Sequence, residues 1–286
     1  SSDVCSSDLE MVVHVADTSP QRAPCDHHRN PEPVAGQVEG PPMLELPFTN
    51  HHVTGGCVGQ TIACSNQKGG VGKTTTVVNL AAELAARGFR VLVVDLDPQG
   101  HAGLGLDRVA LPGAVTVHDV LRRHGASLEA GIVATVDPLI DLLPADRNFD
   151  GDVHVSDPCR LAKALEEIVW HYDLVLIDTP PSVPRLLVAA LMASEAVLVP
   201  TLLDHLSIEG VGRFMRTFHE VVTGLNASLT TALIVPTRVD LRSTMQRAVL
   251  EDLTRRHGRG AVAAGIRVDV GLPDAFGLAR PLRHWR

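Results

Sequence analysis

Lysine is nearly missing from this chain: Lys68, Lys73 and Lys163 stand against 22 arginines. Aromatic residues are 3% of the 286, too few for a module that stacks single-stranded bases on Phe, Tyr and Trp. Positive charge is also in deficit. A formal net charge of -8 excludes a globally basic nucleic-acid binder and leaves room only for a local basic face. Cys5, Cys25, Cys57, Cys64 and Cys159 form no CxxC pair and no zinc spacing. A disulfide framework is not expected in a chain of this size, and a reducing cytoplasm is expected. No HxxxH or HExxH pattern occurs among the scattered histidines, which argues against a zinc hydrolase site. No apolar run reaches the ~18 residues of a membrane span. Leu186–Val199 comes nearest and is broken by Ser194 and Glu195. No membrane anchor is expected, and the polar, acidic opening residues do not read as a signal peptide.

What is present suits a globular protein. Hydrophobic residues make up 45% and charged residues 20%, enough apolar material for a sizeable core. Residues 1–56 differ from the rest. They are rich in proline, carry the pairs His27–His28 and His51–His52, and show no sustained periodicity. They read as a disordered or non-native extension. Ser2–Leu9 resembles a translated adapter sequence, so Met11 is the expected natural start.

Residues 57–286 read as one domain. Strands are expected at Thr61–Ser65, Arg90–Asp95, Leu139–Leu143, Leu174–Asp178, Ala196–Pro200 and Thr231–Val235, with a last one within Ala261–Val268. Helices are expected at Thr74–Arg87, Leu161–Trp170, Pro184–Met192, Ser207–Val222 and Ser243–His257. The strands are near-continuous apolar runs such as VLVV and LVLID. Such runs mark a parallel sheet buried on both faces. Alternation of strand and helix then implies a doubly wound, mostly parallel α/β sheet with helices on both faces. Ligands bind such sheets beyond the carboxyl ends of the strands. Cys64, Trp170 and Phe214 fit apolar positions and are expected in the core.

The motifs fall at those carboxyl ends. Residues 66–76 read NQKGGVGKTTT, directly between an expected strand and an expected helix. Gly69, Gly70, Val71 and Gly72 would let backbone N–H groups turn towards phosphates, and the helix start adds partial positive charge. Lys73 would reach the terminal phosphates, and Thr74, beside Thr75, would ligate Mg²⁺. The strict GxxxxGK[ST] pattern fails, because Gln67 stands at its first glycine; Lys68 is instead a second lysine in the loop. Two carboxylate clusters complete the pattern: Asp95-Leu96-Asp97-Pro98-Gln99-Gly100 and Asp178-Thr179-Pro180-Pro181-Ser182. Asp178 has the place of a metal-shell carboxylate, Asp95 would support it, and Asp97 is the candidate to orient the attacking water.

KGGVGKTTT, DLDPQG and LVLIDTPPS, in this order, resemble the ParA/MinD family of deviant-Walker P-loop ATPases, most of all its ParA/Soj chromosome and plasmid partitioning branch. VLVPTLLDHLSIEGVGRF, VPTRVDLRSTM and IRVDVGLPDAFGLARPL look alike too, so the resemblance runs from about Thr61 to Leu282. It implies ATP and Mg²⁺ as cofactors and a face-to-face homodimer with nucleotide sandwiched between subunits. Lys68 matches the lysine that crosses to the partner's nucleotide; Lys73, Thr74 and Thr75 match the ligands within one chain. Asp97 matches the water-positioning residue and Asp178 the Walker B aspartate. The resemblance also implies ATP hydrolysis, non-specific DNA binding in the ATP state, a ParB-like activator and a nucleoid-associated protein. His101-Ala102-Gly103 after DPQG departs from the family's usual Asn and Ser/Thr. Arg185 stands where a small or apolar residue is usual. The family pattern also leads to an expected C-terminal segment beyond Arg286.

A local basic face does exist. From Arg213 to Arg259 eight arginines face Glu220, Asp240, Glu251 and Asp252. Arg213 and Arg216 share a helix face, and Arg242 and Arg247 lie at the start of the next helix; all four are candidate phosphate contacts. Two alternatives stay open. A MinD-like membrane-cycling ATPase needs a basic amphipathic C-terminal helix, which ARPLRHWR is too short to show. A P-loop amide ligase of the cobyrinic acid diamide synthase type needs a small-molecule pocket, for which no motif appears. An iron-protein-like electron carrier would need paired cluster cysteines, and Cys159 alone does not supply them.

Overall fold

The computed structural model describes residues 59–122, 126–149 and 157–285; the extension expected at 1–56 lies outside them. Eight strands form a single sheet: β1 (Gln60–Cys64), β2 (Val91–Asp95), β3 (Val133–Ala134), β4 (Ile140–Leu143), β5 (Leu174–Asp178), β6 (Ala196–Leu202), β7 (Thr231–Val239) and β8 (Ile266–Arg267). Their spatial order is β3-β4-β2-β5-β1-β6-β7-β8. Every pairing is parallel except β3 with β4, which is antiparallel at the edge. From β1 the chain crosses to β2 on one side, whereas β6, β7 and β8 extend on the other. The change of direction leaves a crevice above β1, β2 and β5, where ligands of such sheets bind.

The apolar runs are buried for the reason that parallel sheets demand. Along β2, Leu92 and Val94 join one core, while Val91 and Val93 join the other. The second core is filled by α1 (Lys73–Ala86), whose Val77, Leu80, Ala81 and Leu84 share one stripe, and by Ala102 of α2 (His101–Gly105). The first is filled by α3 (Val117–Arg122), α4 (Arg160–Glu166), α5 (Pro184–Met192), α6 (His205–Gly224) and α7 (Thr244–His257). α8 (Gly271–Gly277) packs against α9 (Leu282–Trp285), which returns to α1. There Leu282 N–H donates to Asn79 Oδ1 over 2.8 Å, and Arg283 pairs with the buried Glu83 at 2.8 Å.

Several expectations need correction. The helix expected over Leu161–Trp170 ends at Glu166 and gives way to a tight turn at Val169–His171. That break swings Trp170 outward. It is 62% exposed rather than in the core, its indole N–H donating to Glu167 O over 2.8 Å. The last strand is only Ile266–Arg267, preceded by an isolated bridge from Val262 to Ile234. α6 begins two residues earlier than expected, at His205, because Asp204 caps it by accepting from Ser207 N over 2.7 Å. Arg242 lies before the α7 cap Ser243, not within the helix. Cys64 and Phe214 are buried at 1% and 0% exposure, as the apolar pattern implied.

Candidate functional site

The loop between β1 and α1 is shaped by two glycines. Gly70 has φ +72° and Gly72 φ +95°, a region that side-chain-bearing residues rarely adopt. Gly72 is also the N-cap of α1, and no side chain caps that end. The helix start is thereby presented to the crevice rather than closed by a Ser or Asp. Val71 is buried, and its carbonyl accepts from Thr237 Oγ1 at 2.8 Å, so the end of β7 holds the loop from beneath. Gly69 is exposed at the rim.

Lys73, at the first position of α1, is only 6% exposed and donates to Lys68 O over 3.1 Å. Burial lowers its pKa from the ordinary lysine value, against the opposing pull of Asp178. Thr74 Oγ1 donates to Asp178 Oδ2 over 2.7 Å. Asp178 Oδ1 is buried and has no hydrogen-bond partner among the described residues. Burial is also the first cause that pushes the Asp178 carboxyl up to about 7, with the Thr74 hydrogen bond working against it. A carboxylate with one buried, unanswered oxygen beside a threonine hydroxyl is a donor set suited to a hard divalent cation.

Asp95 is fully buried, and both its oxygens are taken: Oδ1 accepts from Asp97 N at 3.2 Å and Oδ2 from Gly103 N at 3.0 Å. Desolvation raises its pKa well above the carboxylate range, and the Asp178 charge adds to this. Asp97 is buried and sits in a turn, with Gln99 N donating to its Oδ1 over 3.0 Å. Asp95 and Asp178 are register partners across β2 and β5, which brings the two carboxylate clusters side by side.

A cleft of about 660 Å³ opens above them, lined by Gly69, Gly70, Gly72, Lys73, Thr74, Thr75 and Asp97 together with Pro180, Pro181 and Ser182, while Asp95 and Asp178 are buried and do not line it. The volume and the open helix start fit a nucleoside triphosphate. Sequence reasoning gave no site role to four further lining residues, Phe149, Val183, Arg238 and Phe276. Arg238 carries φ +53° at the irregularity that ends β7. Arg238 and Phe276 lie within VPTRVDLRSTM and IRVDVGLPDAFGLARPL, where the resemblance assigned them no role, and Phe149 and Val183 lie in no quoted motif.

Lys68 lies apart from this cleft's floor. Its Nζ donates to Asp204 Oδ2 at 2.9 Å, Asp204 Oδ1 at 3.2 Å and Ser207 Oγ at 2.9 Å. Burial alone would push the Asp204 carboxyl up, but Lys68 and Ser207 donating to it hold it below the ordinary range. Sequence reasoning missed Asp204. Its signal was the D-x-x-S spacing before a helix, a capping pattern.

The four candidate arginines do not form one patch. Arg213 and Arg216 on α6, with His205, face Arg256 of α7 across a groove of about 550 Å³. Neither Arg213 nor Arg216 has an ion-pair or hydrogen-bond partner among the described residues. Arg242 is held by both oxygens of Asp240, each at 2.9 Å, and Arg247 donates to Leu241 O over 2.8 Å. No helix among the described residues is long and apolar enough to cross a membrane, and no three or more of their His, Cys, Asp and Glu side chains group as a metal site by themselves.

Comparison with known proteins follows the same lines. The AAA domain family matches residues 59–231. The chain is 36% identical over 230 residues to the chromosome partitioning protein ParA of Caulobacter vibrioides, covering 78% of this chain and 86% of that protein. It is 43% identical over 216 residues to the chromosome-partitioning ATPase Soj of Thermus thermophilus, covering 75% and 83%. Among solved structures, a cobyrinic acid a,c-diamide synthase from Mycobacterium smegmatis with bound ATP analogue and magnesium is similar at 36% identity. The TM-score is 0.65, over 80% of this chain and 96% of that one.

Proposed function

This chain belongs to the ParA/Soj family of chromosome-partitioning ATPases within the AAA domain fold, and from that premise we propose that it binds and hydrolyses ATP–Mg²⁺, dimerises around the nucleotide and binds DNA without sequence preference to segregate cargo. One observation supports the reading above the others: Thr74 Oγ1 meets Asp178 Oδ2 at 2.7 Å while Asp178 Oδ1 is buried with no partner among the described residues.

Each residue has a role that follows from its place. Gly70 and Gly72 turn the loop so that its N–H groups and the uncapped α1 start receive the phosphates. Lys73 leaves the Lys68 carbonyl for the terminal phosphates, whose negative charge answers its buried ammonium. Thr74 and Asp178 would hold magnesium, with Asp95 bracing the turn from behind. Magnesium, when bound, neutralises phosphate charge and favours loss of the γ-phosphoryl group. Asp97 orients the attacking water. Lys68 leaves Asp204 and reaches the nucleotide of a second copy, which makes dimerisation depend on ATP. Arg213 and Arg216, without a partner among the described residues, supply phosphate contacts, and a dimer doubles them.

The solved diamide synthase favours a second reading, an ATP-dependent amide ligase. It differs in what it consumes. Such a ligase turns over ATP only with a carboxylic acid and a nitrogen donor, whereas a partitioning ATPase is stimulated by a protein activator and by DNA. The deciding experiment is ATP turnover by the chain alone and with duplex DNA, beside DNA sedimentation with ATP–Mg²⁺ or ADP at low and high salt, including Lys68→Ala. The expected result is slow turnover without any acid. DNA binding should need ATP, fall with salt and be lost in Lys68→Ala. A folded, ATP-binding protein that ignores DNA in every nucleotide state sinks the partitioning reading.

A further inference from the structure

His118, in α3, is fully buried, and both its ring nitrogens are engaged. Nε2 lies 3.2 Å from Leu96 O, and Nδ1 accepts from Asp146 N at 2.9 Å. A carbonyl needs a donor and an N–H needs an acceptor, so only the neutral ring with its proton on Nε2 satisfies both. Burial agrees, lowering the ring's pKa to about 4. The ring stacks on Phe149 with centroids 4.1 Å apart, and Phe149 lines the nucleotide cleft. Arg122 closes the bracket, pairing with Asp146 at 2.9 Å and lying 4.6 Å over the Phe149 ring.

Leu96 O belongs to the peptide unit that leads into Asp97. The N–H of that same unit donates to Asp95 Oδ1 over 3.2 Å. A peptide unit is rigid and planar, so a hold on its oxygen and a hold on its N–H fix its rotation from both sides. Leu96 N in turn donates to Asp178 O over 2.9 Å. We propose that His118 is a positioning residue for Asp97: by holding the Leu96 carbonyl it sets the angle at which the Asp97 side chain enters the cleft. The proposal rests on the ATP-hydrolysis reading above and deepens it. Through its stack on Phe149 the same ring ties the Asp97 turn to a second residue that lines the cleft.

The test separates the two nitrogens. His118→Asn places an amide oxygen near Nδ1 and keeps an acceptor for Asp146 N, but cannot reach Leu96 O. His118→Gln places an amide N–H near Nε2 and keeps the donor to Leu96 O. Both are compared with wild type for binding of a non-hydrolysable ATP analogue, melting temperature and ATP turnover per analogue-binding site. His118→Asn is expected to lose turnover about 10- to 100-fold, since small misplacements at a reacting centre cost that much, with analogue affinity nearly unchanged. His118→Gln is expected to recover most of the loss. If His118→Asn binds no analogue, His118→Phe, which fills the site and makes neither hydrogen bond, takes its place. Equal turnover per site in the two variants, or retention in Asn with loss in Gln, overturns the proposal while leaving the ATPase reading intact. A wild type that binds the analogue but never turns over ATP sinks the hydrolysis reading and this proposal with it.

Discussion

Lys68 and Asp204 are joined within one chain by an ion pair of 2.9 Å, and Asp204 is also the residue that caps α6. The lysine proposed to reach a second subunit is thus held at home, by a carboxylate whose other task is structural. Asp204→Asn separates the two tasks, because asparagine caps a helix as well as aspartate but offers no charge. The pair is partly exposed, so its loss has a small effect on stability. The expected outcome is a melting temperature within a few degrees of wild type and an ATP-driven dimer that forms at lower ATP concentration, followed by sedimentation velocity. An unchanged or higher ATP requirement counts against this role for the pair.

Asp178 carries the pH prediction. Its folded-state pKa is raised to about 7, above the ordinary carboxylate value of about 3.9. Between those two values the native protein holds a proton that the unfolded chain has already released. The stability of the nucleotide-free protein therefore falls as pH rises through that window. Asp178→Asn removes the buried charge and should raise the nucleotide-free melting temperature at pH 8, on the order of several degrees, with little change at pH 4. Hydrolysis should be lost at every pH. A variant less stable than wild type at pH 8 contradicts the assignment of burial as the cause.

The C-terminal part is pinned by a second buried carboxylate. Glu83 is 5% exposed and faces Arg283 at 2.8 Å. Arg283→Ala leaves that carboxylate without its partner, and the arginine's own exposure moderates the cost to about 1–2 kcal/mol. Denaturant unfolding should show a lower midpoint with an unchanged slope, and Glu83→Gln in the same background should recover part of the loss.

Legibility in the sequence followed how local each cause was. Near-continuous apolar runs and 3.6-residue stripes placed the central strands and α1, α5, α6 and α7, because burial on two faces writes itself into composition. The P-loop and both aspartate clusters were legible because a glycine-rich loop with two lysines and three aspartates at neighbouring strand ends combine in one pattern, although each aspartate alone could be a turn or cap residue. β3 and α8 were not legible: two residues at a sheet edge and a seven-residue helix have too little periodicity to stand out. Trp170 misled because its apolar character fits a helix stripe that stops short of it at Glu166. Lys68–Asp204, 136 residues apart, and His118–Leu96, 22 apart, depend on tertiary approach, which no spacing rule encodes.

DNA contact divides the four candidate arginines by what already holds them. Arg213 and Arg216 have no partner among the described residues, so a phosphate meets their charge without breaking an existing bond. Arg242 must first leave the two oxygens of Asp240. Removing one arginine–phosphate pairing should reduce the slope of log affinity against log salt by about 0.9. Arg213→Ala and Arg216→Ala are therefore expected each to weaken ATP-dependent binding to duplex DNA of any sequence and to flatten its salt dependence by about one unit per subunit, with ATP turnover in the absence of DNA unchanged. Arg242→Ala should do less. Titrating fluorescent duplexes of two unrelated sequences at several salt concentrations measures both quantities. Equal slopes for wild type and the two α6 variants would remove the α6–α7 groove from the DNA-binding surface and move the phosphate-binding role to other arginines.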